Sequence, residues 1–398
     1  MCKLAGQMVS WWIVVAMAMA VFKHDGVDGV FTEPCSSTSS NCTALVSYTA
    51  PANSTLAKVA DLFGVSDIDS LLGANDFNLS TPATLALSPG DFLKVPVTCN
   101  CINGTRQSNS TIYEVIAGDT LSVIAGTTYQ GLITYQQIAA ANGIVDVNKI
   151  QIGESLVIPF PCGCNPVSDQ PVVYLAYPVQ SGDSIANISA DFGAQMADVL
   201  SLNGIANASD LQVGSVLEVP VPACQASFSH LSADSGLLVA EGGYELTAAK
   251  CVQCICTDAP QLRCIPTPTP FSNPCLATLN CANSSLTIGE ITTSPSSTGC
   301  DVTSCNYEGY LPGNDNAISS QVVNSTENQC PVIPSLTYDI PAPIGKYPLP
   351  PAAPTPGPTS SPSGAPAPAS APNNPSSASF CIPSLMSFLV PLVLAIYL

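Results

Sequence analysis

The chain predicts an α+β fold: three tandem β-α-α-β modules stapled by disulfides, followed by a loop-rich disulfide module and a disordered Pro/Ala/Ser stalk. Three observations predict it. A segment recurs three times between residues 46 and 222, eighteen cysteines stand beside two histidines, and residues 341–379 are proline, alanine and serine with almost no large apolar side chain. Repeats of about fifty residues bury too little core to stand alone. Cysteine in that excess over histidine exceeds what mixed Cys/His metal sites absorb and points to disulfides, while a Pro/Ala/Ser tract has nothing to bury.

At the N-terminus, Lys3 is followed by an apolar run from Met8 to Val21 containing Ala18-Met19-Ala20, the pattern of a cleavable signal peptide over residues 1–20. The run is shorter than the ~20 residues of a membrane span. A secretory route supplies the oxidising compartment that disulfides require. Nine N-glycosylation sequons agree with it, at Asn41, Asn53, Asn78, Asn103, Asn109, Asn187, Asn207, Asn283 and Asn324. With 9 Lys plus Arg against 28 Asp plus Glu, a net charge of -19 denies the chain an electrostatic hold on nucleic acid or anionic lipid headgroups.

The first module, residues 46–97, is divergent: it runs from Tyr48 through Asn53-Ser54-Thr55-Leu56 to Ser88-Pro89-Gly90 and Val95-Pro96. The middle module, residues 112–160, opens with Tyr113-Glu114-Val115-Ile116-Ala117-Gly118-Asp119-Thr120-Leu121 and closes with Ile152-Gly153-Glu154-Ser155-Leu156-Val157-Ile158-Pro159. In it, Tyr113 to Ile116 is β-prone, Gly118-Asp119 turns the chain, and Thr120 is placed to cap a helix carrying Leu121, Ile124 and Ala125 on one face. Thr134 is placed to cap a second helix ending at Asn142-Gly143, where a left-handed residue is expected, and Leu156 to Pro159 returns as a strand. The third module, residues 176–222, repeats the pattern from Tyr177 through Gly182-Asp183-Ser184-Ile185 to Gly214, Leu217 and Val219-Pro220. Cys35 and Cys42 precede the first module, Cys99 and Cys101 follow it, and Cys162 and Cys164 follow the second. Cysteines two apart on a strand project to opposite faces and rarely pair together, so links between modules are expected; which cysteine meets which stays open at this point.

Residues 224–330 hold ten cysteines and few long apolar runs, which reads as a loop-rich unit with five disulfides. Cys251-x-x-Cys254-x-Cys256 is the one spacing compatible with zinc, and a secreted chain favours disulfides there. The stalk at 341–379 is expected to be extended and semi-rigid, reaching roughly 100 Å at ~3.1 Å per residue. Phe380 to Leu398 is apolar and uncharged, behind the small residues Ser376-Ser377-Ala378-Ser379. This is the pattern of a GPI-attachment signal over residues 377–398, with the lipid joined at Ser376 and with Ser377 and Ser363 as the next choices. A single-pass anchor is the alternative, weakened by Pro383, Pro391 and the missing basic flank.

The opening residues Tyr113, Val115, Gly118, Asp119 and Thr120 reappear as Tyr177, Val179, Gly182, Asp183 and Ser184, Asn-Gly follows each second helix, and Gly153, Leu156, Ile158 and Pro159 close the unit as Gly214, Leu217, Val219 and Pro220 do. Each such unit resembles the LysM domain. Three units separated by Cys-x-Cys pairs, behind a signal peptide and ahead of a GPI-type tail, resemble the plant LysM-containing GPI-anchored receptor proteins over about residues 35–224. The resemblance implies the pairs Cys35–Cys101, Cys42–Cys164 and Cys99–Cys162, each worth ~2–4 kcal/mol. It also implies binding of chitin oligomers or bacterial peptidoglycan glycan in a shallow groove between two loops. In the middle module these loops are Ala117, Gly118, Asp119, Thr120, Leu121, Ser122 and Val123, and Ile144, Val145, Asp146, Val147, Asn148, Lys149, Ile150, Gln151 and Ile152. Backbone groups there would hold N-acetyl groups while Leu121, Ile144 and Ile150 cover the methyls; equally, Leu121 and Ile150 complete a small core.

A wall-degrading enzyme would need paired carboxylates, or a metal or nucleophile with a base. His24 and His230 are the only histidines, and no domain remains outside the modules and the cysteine block. The chain therefore reads as non-catalytic, with no cofactor and no metal, and Asp119 and Asp183 are explained as caps of helix starts. A GPI anchor on the extracellular face of the plasma membrane leaves nothing in the cytoplasm, so signalling implies a partner, a LysM receptor-like kinase sharing the glycan. A structural wall protein is the alternative. Asn53 falls in the would-be sugar loop of the first module and Asn207 in the second loop of the third, whereas Ile112 to Cys164 holds no sequon, leaving the middle module as the unobstructed site.

Overall fold

The computed structural model describes residues 31–36, 38–268, 279–297, 299–311 and 317–331. The signal peptide, the stalk, Cys275 and the anchor site Ser376 lie outside them. The chain divides into residues 1–353 and 354–398, and every described residue belongs to the first unit.

In the first repeat, β1 (Cys42–Thr49) runs antiparallel to β4 (Phe92–Ile102), with Cys42 opposite Cys99 and Thr49 opposite Phe92. Between them lie β2 (Ser54–Thr55), α1 (Leu56–Phe63), α2 (Ile68–Ala74) and β3 (Ala86–Leu87). Helix α1 forms because Leu56, Val59, Ala60 and Phe63 recur at helical spacing and bury one face, the Thr55 hydroxyl accepts from Lys58 N–H, and Gly64 ends the helix at φ 70°. The middle repeat has β6 (Ile112–Glu114), α3 (Leu121–Val123), α4 (Tyr135–Ala141) and β7 (Ser155–Val157). The third has β8 (Val172–Pro178), α5 (Ile185–Asp191), α6 (Met196–Leu202) and β9 (Val216–Gln225).

One asparagine closes each repeat in the same way. Asn142 Nδ2 donates to the Ile138 and Val157 carbonyls, each at 2.8 Å, while Oδ1 accepts from Val157 N–H at 2.8 Å. Asn203 does the same with Val199 and Glu218, and Asn75 with Leu71 and Lys94. The helix end is thereby tied to the returning strand even in the first repeat, whose motifs diverge most.

The repeats share cores. Strands β10 (Leu238–Ala240), β9, β8, β1, β4 and β5 (Thr105–Ser108) form one six-stranded sheet in that order, and β1 pairs parallel to β8 at Leu45↔Leu175 and Val46↔Ala176. The first and third repeats are thus one sheet. The middle repeat packs on the first through rings: Phe63 lies 5.6 Å from Tyr129 and 5.5 Å from Phe160, all three buried. Tyr129 donates its hydroxyl to the Leu62 carbonyl at 3.1 Å, and Gln130 brackets the Thr49 backbone, accepting from its N–H at 3.0 Å and donating to its C=O at 2.7 Å. Disulfides Cys42–Cys164 and Cys99–Cys162 cross the same seam and Cys35–Cys101 ties the segment before β1 to β4; together they are the set that the family resemblance implied.

The expectation of a loop-rich unit at 224–330 is corrected. This region holds β11 (Gly243–Thr247), β12 (Val252–Asp258) and β13 (Gln261–Pro266) in one sheet, and β14 (Ile291–Ser296), β15 (Gly299–Leu311) and β16 (Ala317–Glu327) in another. Its strands need no apolar runs because buried half-cystines, Cys254, Cys256, Cys264, Cys300 and Cys305 among them, take the inward positions. The bridges are Cys224–Cys256, Cys254–Cys264, Cys281–Cys305 and Cys300–Cys330, and Cys251 is disulfide-bonded too. Every sulfur of the Cys251-x-x-Cys254-x-Cys256 spacing is therefore spent on a disulfide.

Candidate functional site

The two loops of the middle repeat meet at their bases. Val115 N–H donates to the Glu154 carbonyl at 2.9 Å and Gly153 N–H returns a bond to the Val115 carbonyl at 2.8 Å, which sets residues 117–123 beside the end of 144–152. Gly118 turns the first loop at φ 96°, a left-handed value that a residue without Cβ adopts freely. Asp119 accepts from the Tyr113 hydroxyl at 2.9 Å and from Ile116 N–H at 2.8 Å. It therefore braces the turn, and the expectation that it caps the helix is corrected: Thr120 is the cap, accepting from Val123 N–H at 3.1 Å. Asp183 repeats the brace with Tyr177 and Gln180, and Ser184 the cap. Burial, reinforced by the bond to Asp119, holds the Tyr113 phenol above its ordinary range.

The second loop is ordered by short-range bonds. Lys149 lies 2.9 Å from Asp146, and its hydrogen bond together with that of Asn148 N–H keeps this carboxyl below the usual range. Gln151 N–H donates to the Glu154 carboxylate at 3.0 Å.

Most of the expected residues reach the surface. Ala117, Gly118, Thr120, Ser122, Val123, Val145, Asn148, Lys149, Gln151 and Ile152 are exposed, and Asp119, Ile144, Asp146, Val147 and Ile150 are half-buried. Leu121 is the correction. It is 1 % exposed and packs with Ile124 and Ala125 in the core, so its side chain covers no ligand. Ile144, Val147 and Ile150 rest against that core while keeping part of their surface. Val145 at 99 % exposed, Ile152 at 73 %, Ile116 at 60 % and Val123 at 41 % are large apolar groups open to solvent around the loops. Ile116 lay outside the expected set; its place just past buried Val115, on the alternate face of the strand end, was the available signal.

The helix after Thr120 also differs from expectation. Only Leu121–Val123 is α-helical, and Ile124–Thr128 widens into a π turn, with Tyr129 N–H bonding the Ile124 carbonyl and Gly131 N–H the Ala125 carbonyl. The wider turn carries Tyr129 and Gln130 to the first repeat. Neither was singled out in the sequence, because a regular helix would aim them elsewhere.

The other repeats carry sequons at matching positions. The caps Thr55, Thr120 and Ser184 align the three loops, so Asn53 stands where Gly118 and Gly182 stand, and it takes φ 61° there. By the same alignment Asn187 falls at the place of Val123, and alignment on Asn142 and Asn203 puts Asn207 at the place of Asp146. All nine sequon asparagines are exposed. The sulfurs of Cys42, Cys99 and Cys164 lie close enough to share an ion, but each is in a disulfide.

A strand, two helices and a returning strand, with a Gly-Asp turn and an asparagine closure, define LysM modules. A family model described as the LYK3/4/5 LysM2 domain matches residues 107–160, and a LysM domain model matches residues 177–220. The chain is 38% identical over 304 residues to LysM domain-containing GPI-anchored protein 1 of Arabidopsis thaliana, covering 75% of this chain and 71% of that protein. It is 38% identical over 307 residues to LysM domain-containing GPI-anchored protein LYP4 of Oryza sativa subsp. japonica, covering 75% of each. It is 33% identical over 292 residues to the Chitin elicitor-binding protein of the same rice, covering 73% of this chain and 80% of that one. The chain belongs to the family of LysM domain-containing GPI-anchored proteins.

Proposed function

We propose that this protein is a GPI-anchored receptor or co-receptor on the outer face of the plasma membrane, binding N-acetylglucosamine glycans, chitin oligomers or bacterial peptidoglycan, for innate immune recognition. The observation that carries the reading is the pair of exposed, sequon-free loops at 117–123 and 144–152, whose counterparts in the first and third repeats bear Asn53, Asn187 and Asn207. In this reading residues 46–97 are a third LysM module, and N-glycans at the flanking repeats block their grooves. Backbone N–H and C=O groups of the two loops hold the acetamide, while Ile150 and Ile144 meet its methyl. The chain performs no catalysis and uses no cofactor. The Pro/Ala/Ser tract from 341 to Ser376 links the modules to a lipid joined at that residue. A single open groove binds one short stretch of sugar weakly, so a polymer held jointly with a LysM receptor kinase supplies the avidity and passes the signal inward.

The test is calorimetric titration of the secreted ectodomain with chitin oligomers and with solubilised peptidoglycan, beside an Ile150→Arg variant. Saturable binding that the variant loses supports the reading and names the ligand. No binding to either glycan overturns it in favour of a wall-associated scaffold.

A further inference from the structure

A cleft of about 830 Å³, remote from the glycan loops in sequence, opens within the disulfide module between β13, the middle of β15 and residues 225–229. That volume lies within the ~300–1,000 Å³ of typical ligand sites. What distinguishes the cleft is a strand edge inside it. Strand β15 carries β16 along one side from Cys300 to Leu311. On the other side β14 pairs only as far as Ser304, opposite Ile291; Gly289 and Glu290 then bond the Cys305 carbonyl and N–H at 2.7 and 3.0 Å. The next bond on that side is Ala233 N–H to the Tyr310 carbonyl, at 2.8 Å. The ladder with β16 is regular as far as Tyr307 and bulges between Tyr307 and Gly309; alternate residues of an antiparallel ladder address the same neighbour, so up to that bulge the N–H and C=O of Tyr307 point as those of Cys305 do. Among the described residues no strand meets them, and Asn306, Tyr307 and Glu308 line the cleft.

The walls fit an extended chain better than a sugar. The Phe228 and Tyr307 rings pack edge to face at 5.0 Å, and Tyr307 is buried and donates its hydroxyl to Asp234, so its ring offers no open flat face on which a pyranose stacks. Leu262 and Ile291 are half-buried apolar walls, and no sequon asparagine lies in the lining. We propose that this cleft docks an extended peptide segment of a partner ectodomain. The peptide adds a short strand at the Tyr307 edge and seats an apolar side chain against Phe228, Leu262 and Ile291.

The test uses the secreted ectodomain with its disulfides intact and a phage-displayed library of random short peptides, read by amide hydrogen exchange. The expected result is fast exchange at Tyr307 in the free protein and protection by selected peptides. Leu262→Lys, which places a charge on the apolar wall, is expected to weaken their binding roughly tenfold. Ile150→Arg leaves this binding unchanged, which separates it from the glycan groove. Tyr307 already protected in the free protein, peptides that bind without protecting it, or chitin oligomers that protect it instead would each overturn the proposal.

Discussion

Replacing Asn142 by alanine is expected to destabilise the head by about 3 kcal/mol. The side chain makes three hydrogen bonds of 2.8 Å, two donated to the Ile138 and Val157 carbonyls and one accepted from Val157 N–H. Each neutral bond of this kind is worth about 1 kcal/mol net, and the groups left behind face a partly buried seam that water reaches poorly. For a folded unit of about 200 residues, this corresponds to a fall in Tm of roughly 6–12 °C. Scanning calorimetry of the secreted ectodomain reads it directly. Asn75→Ala and Asn203→Ala remove the same bonds from the first and third repeats, so they are expected to cost similar amounts. They differ in function: Asn142 stands at the base of the 144–152 loop, so its variant also weakens glycan binding, while Asn75→Ala leaves binding intact. An Asn142→Ala protein that melts within about 2 °C of the parent, less than one hydrogen bond's worth, would refute the closure as a structural element.

Three further outcomes are expected. The triple variant Asn53→Gly, Asn187→Gln, Asn207→Gln removes the sequons at the flanking loops while giving position 53 the residue that Gly118 and Gly182 use; glycan stoichiometry in calorimetry should rise above that of the parent, and an unchanged value contradicts the obstruction argument. Gln130→Ala strips two bonds from the Thr49 backbone, and the denaturant midpoint should fall by the equivalent of about 1–3 kcal/mol. Burial, with the charge of Asp67 adding to it, raises the Glu245 carboxyl from 4.5 to about 7. The folded state then holds a proton that the unfolded state has released, so the stability this group contributes is full below pH 4.5 and is lost as pH rises through 7. Melting followed across that window should show the decline, and Glu245→Gln should flatten it.

Much of the head was legible in the sequence because its signals are local. Thr120 and Thr134 cap helices as their hydroxyls and positions required, and Gly143 takes φ 65° where the chain leaves α4. What stayed hidden depends on distant partners. The parallel pairing of Leu45 with Leu175 joins strands about 130 residues apart and leaves no trace in either segment's alternation. Tyr129 and Gln130 dock on the first repeat because a π turn redirects them, and nothing in Ile124-Ala125-Gly126-Thr127-Thr128 announces that turn. In the disulfide module, half-cystines replace the aliphatic residues by which strands are ordinarily found. At the site, loop positions followed from the repeat, but the burial of Leu121 against the exposure of Ile152 is decided by packing, which periodicity alone does not resolve.

The most direct test of the central claim is a crystal structure of the ectodomain grown with a chitin oligomer. The predicted result is saccharide lying between residues 117–123 and 144–152, with acetamide bonds to loop backbone and its methyl against Ile150. Saccharide bound at the first or third repeat, with the middle loops bare, would contradict it.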